Sequence, residues 1–245
     1  MMREEPVLKV SGLTKTYRNG RGLHEVNLEI HRGEIYGLFG PNGAGKTTLL
    51  KLITGLIPAT GGEIRWFGHS LTASYEKAME RVGCVIEAGS TYGYMTARSQ
   101  LEQVRRHYPG IPAARTEEVL ELTGLGPYAR EKTKGFSLGM KQRLALAAAL
   151  LPAPACIVMD EPTNGLDLDG ILDIRGLIGR LAADEGVTFL IASHHIGEME
   201  QVCSRAGVIR GGTLVLEGRV PDLLQAYGTL EAMYVIAAGR QREGA

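Results

Sequence analysis

A glycine-rich stretch near the N-terminus constrains this chain more than any other feature. The stretch is Gly40-Pro41-Asn42-Gly43-Ala44-Gly45-Lys46-Thr47-Thr48. It fits the Walker A pattern, in which backbone N–H groups wrap around phosphates, a lysine contacts the β- and γ-phosphates, and a threonine hydroxyl binds Mg²⁺. An apolar run at 34–39 precedes it and a helical pattern at 47–54 follows, so a helix N-terminus would face the phosphates. This context predicts a nucleotide-binding site rather than a turn that happens to contain a lysine.

Composition indicates an ordinary globular protein. The 245 residues suffice for one large α/β domain, and Lys+Arg and Asp+Glu both number 27, so no nucleic-acid partner is expected. The cysteines, at positions 84, 156 and 203, are isolated, and we expect buried free thiols in a reducing compartment. The N-terminus is polar, and the longest apolar run, 144–159, is divided by prolines and too short for a membrane span. A cytoplasmic protein is therefore expected.

Hydrophobic periodicity predicts an α/β fold interrupted by a helical segment. Alternating runs at 7–17 and 23–30 predict an N-terminal pair of strands, and Gly211-Gly212 predicts the turn of a later hairpin. Further strands are expected at 62–67, 82–86, 155–159 and 187–192. Helical periodicity without strands occurs at 96–107, 116–124 and 137–151. The expected single domain, 1–238, has an α/β core at about 1–86 and 155–238, an inserted helical subdomain at about 87–154, and a flexible tail at 239–245.

Two adjacent carboxylates follow a buried strand pattern. The strand ends at Asp160, and Glu161 comes next. An aspartate at the carboxyl end of a strand beside a P-loop can hold Mg²⁺ through water. Glu161 is then placed to polarise the water that attacks the γ-phosphate. An Asp-Glu pair alone is typical of a solvated turn, but downstream of a Walker A motif it indicates a Walker B motif.

A further stretch narrows the family. It is Phe136-Ser137-Leu138-Gly139-Met140-Lys141-Gln142-Arg143. Taken alone, Ser137 is a good N-cap, and a helix N-terminus beside a glycine also attracts anions. The stretch resembles the signature motif of ATP-binding cassette (ABC) ATPases, Leu-Ser-Gly-Gly-Gln. Ser137 and Gly139 match that motif, and the other positions differ conservatively in size.

Other positions resemble ABC motifs in the same order along the chain. Tyr17 matches the aromatic residue that stacks on adenine, although the sequence alone would equally fit a half-buried strand tyrosine. Asn164-Gly165-Leu166-Asp167 resembles the D-loop, so Asp167 is expected near the nucleotide. His194 matches the switch histidine that contacts the γ-phosphate, and His195 is interpreted as a bystander.

The resemblance implies how such a chain works. ATP and Mg²⁺ are the expected cofactors, and Lys46, Glu161 and His194 are the expected catalytic residues. Two copies would meet head to tail, with each ATP between one P-loop and the opposite chain's Ser137 and Gly139. Closure on ATP would move separate integral membrane subunits, which would attach the ATPase to the inner face of the membrane.

Glu87 departs from the usual family pattern. Most members have glutamine there, reaching Mg²⁺ and the attacking water; Glu87 would take that position. The run 82–87 and Met95-Thr96-Ala97-Arg98 resemble the branch serving bacitracin and lantibiotic efflux or immunity, although a solvated helix-start carboxylate is an alternative. The expected function is the ATPase subunit of a peptide-antibiotic or related drug exporter. The alternative is a soluble ABC ATPase that acts as a remodelling or regulatory module without a transporter.

Overall fold

A computed structural model describes residues 5–86, 91–237 and 239, which contain two β-sheets and nine α-helices. The strands are β1 Leu8–Thr16, β2 Gly22–Ile30, β3 Ile35–Phe39, β4 Gly61–Trp66, β5 His69–Ser70, β6 Val82–Val85, β7 Cys156–Asp160, β8 Thr188–Ser193, β9 Arg205–Arg210 and β10 Thr213–Arg219. The helices are α1 Lys46–Ile53, α2 Tyr75–Met79, α3 Ala97–Arg105, α4 Ala114–Leu122, α5 Leu138–Leu150, α6 Leu168–Glu185, α7 Ile196–Met199, α8 Val220–Tyr227 and α9 Leu230–Ala237.

The smaller sheet is antiparallel, with the order β2-β1-β4-β5. β1 pairs with both β2 and β4, which confirms the N-terminal strand pair that alternating hydrophobicity predicts. Trp66, at the end of β4, is fully buried, and its indole N–H donates to the Ile53 carbonyl at 2.7 Å. This bond ties the smaller sheet to α1, the helix that follows the glycine-rich loop.

The larger sheet has the order β10-β9-β3-β8-β7-β6, and all its strands except the hairpin strand β10 are parallel to their neighbours. Every residue of β3, β7 and β8 is buried, as expected for parallel strands covered on both faces. Because the carboxyl ends of parallel strands meet at one edge, the segments after these three strands lie together. The fold is therefore the predicted α/β class, a P-loop NTPase core.

Helices α3, α4 and α5 pack against one another, and α5 also contacts β6 and α6. They coincide with the three segments of helical periodicity, so these helices are confirmed. Thr96 caps α3 by accepting a hydrogen bond from the Ser99 N–H at 3.1 Å. Among the described residues, no helix has the length and apolarity needed to cross a membrane.

The cysteines differ in burial. Cys156 in β7 and Cys203 after α7 are buried, whereas Cys84 in β6 is exposed. The expectation of buried thiols is therefore wrong for Cys84. The reason is that β6 is an edge strand of the larger sheet, which an apolar sequence run cannot reveal. Burial raises the pKa of the Cys203 thiol to about 12, so this thiol stays protonated at neutral pH.

Candidate nucleotide-binding site

The glycine-rich loop joins the end of β3 to the start of α1. Gly43 and Gly45 have φ values of +80° and +113°, in the region that favours glycine. A Cβ at Gly45 would come within 2.6 Å of a Leu23 methyl group, so no larger residue fits without a shift of Leu23. Gly45 is the N-cap of α1 and offers no side-chain bond to the helix N-terminus. The first N–H groups of α1 therefore remain available to an anion.

Asp160, at the end of β7, lies beside the first turn of α1. The Thr47 hydroxyl donates to Asp160 Oδ2 at 2.7 Å, while Oδ1 is buried and has no hydrogen-bond partner among the described residues. Burial raises the pKa of Asp160; the Thr47 hydrogen bond opposes this, and the Glu161 charge adds to it. The described residues contain no group of three or more His, Cys, Asp and Glu side chains that could hold a metal ion by itself.

Glu161 bridges two other predicted catalytic residues. Its φ is +49°, and its N–H donates to the Ala192 carbonyl on β8 at 2.8 Å. One carboxylate oxygen lies 3.3 Å from Lys46 Nζ, and the other contacts His194 at 2.8 Å from Nδ1 and 3.1 Å from the backbone N–H. Lys46 is only 6% exposed and also donates to the Gly40 carbonyl at 2.8 Å. The structure thus brings Lys46, Glu161 and His194 into one connected cluster.

Tyr17 lies in the same open pocket as most of the glycine-rich loop. The pocket, of about 510 Å³, is lined by Tyr17, Asn19, Arg21, Gly22, Pro41, Asn42, Gly43, Gly45, Lys46, Thr47, Thr48 and Glu161. Tyr17 is 40% exposed, and Lys15 Nζ lies 5.5 Å from the centre of its ring. Gly40 and Ala44 do not line the pocket. An exposed aromatic ring thus shares one cavity with Lys46 and Thr47.

Asn19 and Arg21 were not anticipated from the sequence. Both belong to the turn between β1 and β2, where the Tyr17 N–H donates to the Arg21 carbonyl at 2.9 Å. This bond folds the turn back so that both residues line the pocket. The only signal in the sequence was a basic turn directly after Tyr17.

Ser137, Gly139 and Asp167 line a different pocket. This second pocket, of about 350 Å³, contains Ser137, Leu138, Gly139, Arg143, Gly165, Leu166, Asp167, Asp169, Gly170 and Asp173. Ser137 caps α5 by accepting from the Met140 N–H at 3.2 Å, and Asp167 caps α6 by accepting from the Gly170 N–H at 2.9 Å. The two pockets share no residue. Within one chain, the signature and D-loop residues are therefore separate from the P-loop.

The predicted residue Glu87 lies outside the described residues. On either side of the gap, Ile86 and Thr91 line an open groove of about 820 Å³. The groove lies among β6, α3 and α5, and its walls include Leu101 and Leu144. Tyr92 and Tyr94, both largely exposed, also line it.

Comparison with known proteins gives consistent matches. The family described as "ABC transporter" matches residues 23–164, more than half of the chain. The bacitracin transport ATP-binding protein BcrA of Bacillus licheniformis is 39% identical over 212 residues, which cover 86% of this chain and 69% of that protein. The lantibiotic transport ATP-binding protein SrtF of Streptococcus pyogenes is 36% identical over 211 residues, covering 86% of this chain and 90% of that protein.

A solved structure gives the same assignment. It is the dimeric post-hydrolysis state of an ATP-binding cassette bound to ADP and Pi, with a TM-score of 0.77 and 28% identity over 87% of this chain and 98% of that chain. The match therefore covers nearly the whole of that cassette, and it agrees with the family match and the P-loop geometry. This chain belongs to the ABC transporter family, as an ATP-binding and ATP-hydrolysing subunit.

Proposed function

We propose that this ATPase works as a head-to-tail pair and powers export of a peptide antibiotic or related drug through separate membrane subunits. The observation that carries the proposal is the division of the expected site between two pockets. Lys46, Thr47 and Glu161 line one pocket, while Ser137 and Gly139 line another. A second copy is needed to bring Ser137 and Gly139 to an ATP bound on the P-loop. ATP then joins the two copies at their interface.

The residues around the P-loop have distinct roles in this proposal. Tyr17 stacks on adenine, while the loop N–H groups and Lys46 bind the phosphates. Glu161 accepts a proton from the attacking water, and His194 contacts the γ-phosphate. The contacts of Glu161 with Lys46 and His194 support this proposal, because residues that act on one phosphate group must lie close together.

Mg²⁺ fits the oxygen atoms beside the P-loop. Asp160 Oδ1 is buried without a hydrogen-bond partner in the described part of the chain, and the Thr47 hydroxyl lies next to the same carboxylate. Mg²⁺ prefers a few protein oxygens together with substrate phosphates, and here it would neutralise charge on the phosphates. Glu87 is proposed as a further group near the metal and the attacking water, on the strength of its position after β6 in the sequence.

The open groove among β6, α3 and α5 suits the membrane subunit. Leu101, Val104 and Leu144 line it, together with the exposed Tyr92 and Tyr94. A short amphipathic helix of a membrane protein would bury this surface. Residues at about 87–154 would then move as a helical subdomain with the bound partner, and the pair would sit at the inner face of the membrane. The cargo class rests on the relatives, which are named for bacitracin and lantibiotic transport.

The test is to purify the chain from its own cells and identify the integral membrane protein that accompanies it. Cells with the complete transporter should tolerate bacitracin or a lantibiotic better than cells without it. Lys46→Ala should lose ATP binding and that tolerance together, because the charge that faces the phosphates is gone. If wild-type ATPase activity persists but no membrane protein co-purifies and tolerance is unchanged, the chain works outside a transporter.

A further inference from the structure

The ring of His195 lies directly against that of His194. The two ring centres are 3.9 Å apart, with an angle of 41° between the ring planes. His194 is fixed on another side as well, because its Nδ1 lies 2.8 Å from a Glu161 oxygen. An imidazole with one nitrogen bound and one face covered retains few of its side-chain conformations. His195 is therefore a packing partner of the His194 side chain as well as its neighbour in the sequence.

His195 is itself tied down at two points. Its backbone N–H donates to Ser193 Oγ at 3.0 Å, at the end of β8. Its Nδ1 lies 3.8 Å from Oε1 of Glu198, one turn further on in α7. The other Glu198 oxygen, Oε2, is buried and has no hydrogen-bond partner among the described residues. The Glu198 carboxylate therefore lies beside the His195 ring at the start of α7.

We infer that His195 is a positioning residue for His194. Its ring, tied to Glu198, fixes the imidazole of His194 in the orientation that it needs to contact the γ-phosphate. The inference rests on the proposed role of His194 in ATP hydrolysis. Because an error of about 1 Å in the placement of a reacting group can cost about 100-fold in rate, the position of the ring matters. ATP binding depends chiefly on the P-loop, so loss of His195 should lower kcat and spare KM.

Two substitutions separate the ring contact from other effects. His195→Ala removes the ring, and we expect kcat to fall about tenfold while KM for ATP changes less than about twofold. His195→Phe keeps a flat ring against His194, and kcat should recover to within about threefold of the wild type. His69→Ala is the matched control, because His69 is exposed on β5 and outside every pocket described above. It should leave kcat unchanged.

Spectroscopy gives a second readout. The ring proton signals of His194, assigned in protein with labelled histidine, should shift or broaden in His195→Ala and stay close to wild type in His195→Phe.

Unchanged kcat in His195→Ala, or a His195→Phe variant as slow as His195→Ala, would overturn the inference. If His195→Ala does not fold, Glu198→Gln carries the test. That variant keeps both histidine rings and should lower kcat about threefold. An unchanged kcat would show that the Glu198 carboxylate does not help to hold the His195 ring.

His194→Ala distinguishes failure of this inference from failure of the proposed function. If His194→Ala hydrolyses ATP at the wild-type rate, the proposed role of His194 is wrong. If His194→Ala is slow while His195→Ala is normal, only the positioning role of His195 is wrong.

Discussion

Replacing Glu161 by glutamine removes the proposed base and changes its surroundings little. The amide keeps the size of the side chain and one acceptor oxygen, but it cannot take a proton from water. A general base contributes about 10²- to 10⁴-fold to a rate. We therefore expect kcat to fall at least about 100-fold, which corresponds to about 3 kcal/mol in the activation barrier.

The same substitution should strengthen ATP binding. Glu161 lies 3.3 Å from Lys46 Nζ, and the two side chains are 21% and 6% exposed. Because both side chains are largely shielded from water, the ion pair is stronger than one at the surface. In the glutamine variant, however, Lys46 still has a backbone acceptor, the Gly40 carbonyl. We assign the pair about 1 kcal/mol. Because ATP phosphates compete with Glu161 for Lys46, the Kd for ATP should fall about fivefold.

Three measurements check this prediction. Phosphate release at saturating MgATP gives kcat, equilibrium dialysis gives the Kd, and size-exclusion chromatography with ATP should show a dimer that accumulates. Glu63→Gln is the control, because Glu63 is an exposed residue of β4 paired with Arg65. A kcat within about threefold of the wild type would place the base elsewhere. Weaker ATP binding would refute the competition for Lys46.

Three further predictions concern other parts of the site. Ser137→Arg should abolish ATP-driven dimers on size exclusion while monomer binding of ATP changes little; dimers that persist would contradict the head-to-tail pair. Arg21→Gln should weaken binding of a fluorescent ATP analogue about fivefold, because a cation that lines the pocket is lost, whereas Arg18→Gln in the same turn should not. Asp160→Asn should raise the Tm of the nucleotide-free protein at pH 7, since burial raises the folded pKa of Asp160 and makes its charged form unfavourable in the fold. Calorimetry should show that the difference in Tm between variant and wild type disappears as the pH falls through the raised pKa of folded Asp160 towards about 3.9, its pKa in the unfolded chain. Equal Tm values of the two proteins at pH 7 would be evidence against this prediction.

The sequence reveals those parts of the site whose chemistry lies in consecutive residues. The P-loop is one such part, because the glycines, Lys46 and Thr47 stand in a single run and the strand and helix around it have clear hydrophobic patterns. The carboxylates Asp160 and Glu161 follow a fully buried strand and could be placed for the same reason. Each of these predictions needed only local periodicity and the chemistry of phosphate binding.

Contacts between distant segments could not be predicted in this way. The contact of Glu161 with both Lys46 and His194 depends on β8 lying between β3 and β7, and sheet order does not follow from the residues of any one strand. Arg21 reaches the pocket only because its turn folds back over the P-loop. Cys84 is exposed because β6 lies at a sheet edge. In all three cases tertiary packing determines the contact or the exposure, and hydrophobic periodicity gives no information about that packing.

Helix α5 connects the proposed dimer interface to the groove that we propose for the membrane subunit. Ser137 caps its N-terminus, and further along Leu144, Ala145 and Ala148 line the groove. Because α5 is one unbroken helix of 13 residues, a force applied at Ser137 moves both ends together. Closure of the opposite copy on ATP would therefore displace the groove wall directly. In the proposed transporter, α5 would carry a change at the γ-phosphate to the membrane partner without any rearrangement of the parallel sheet.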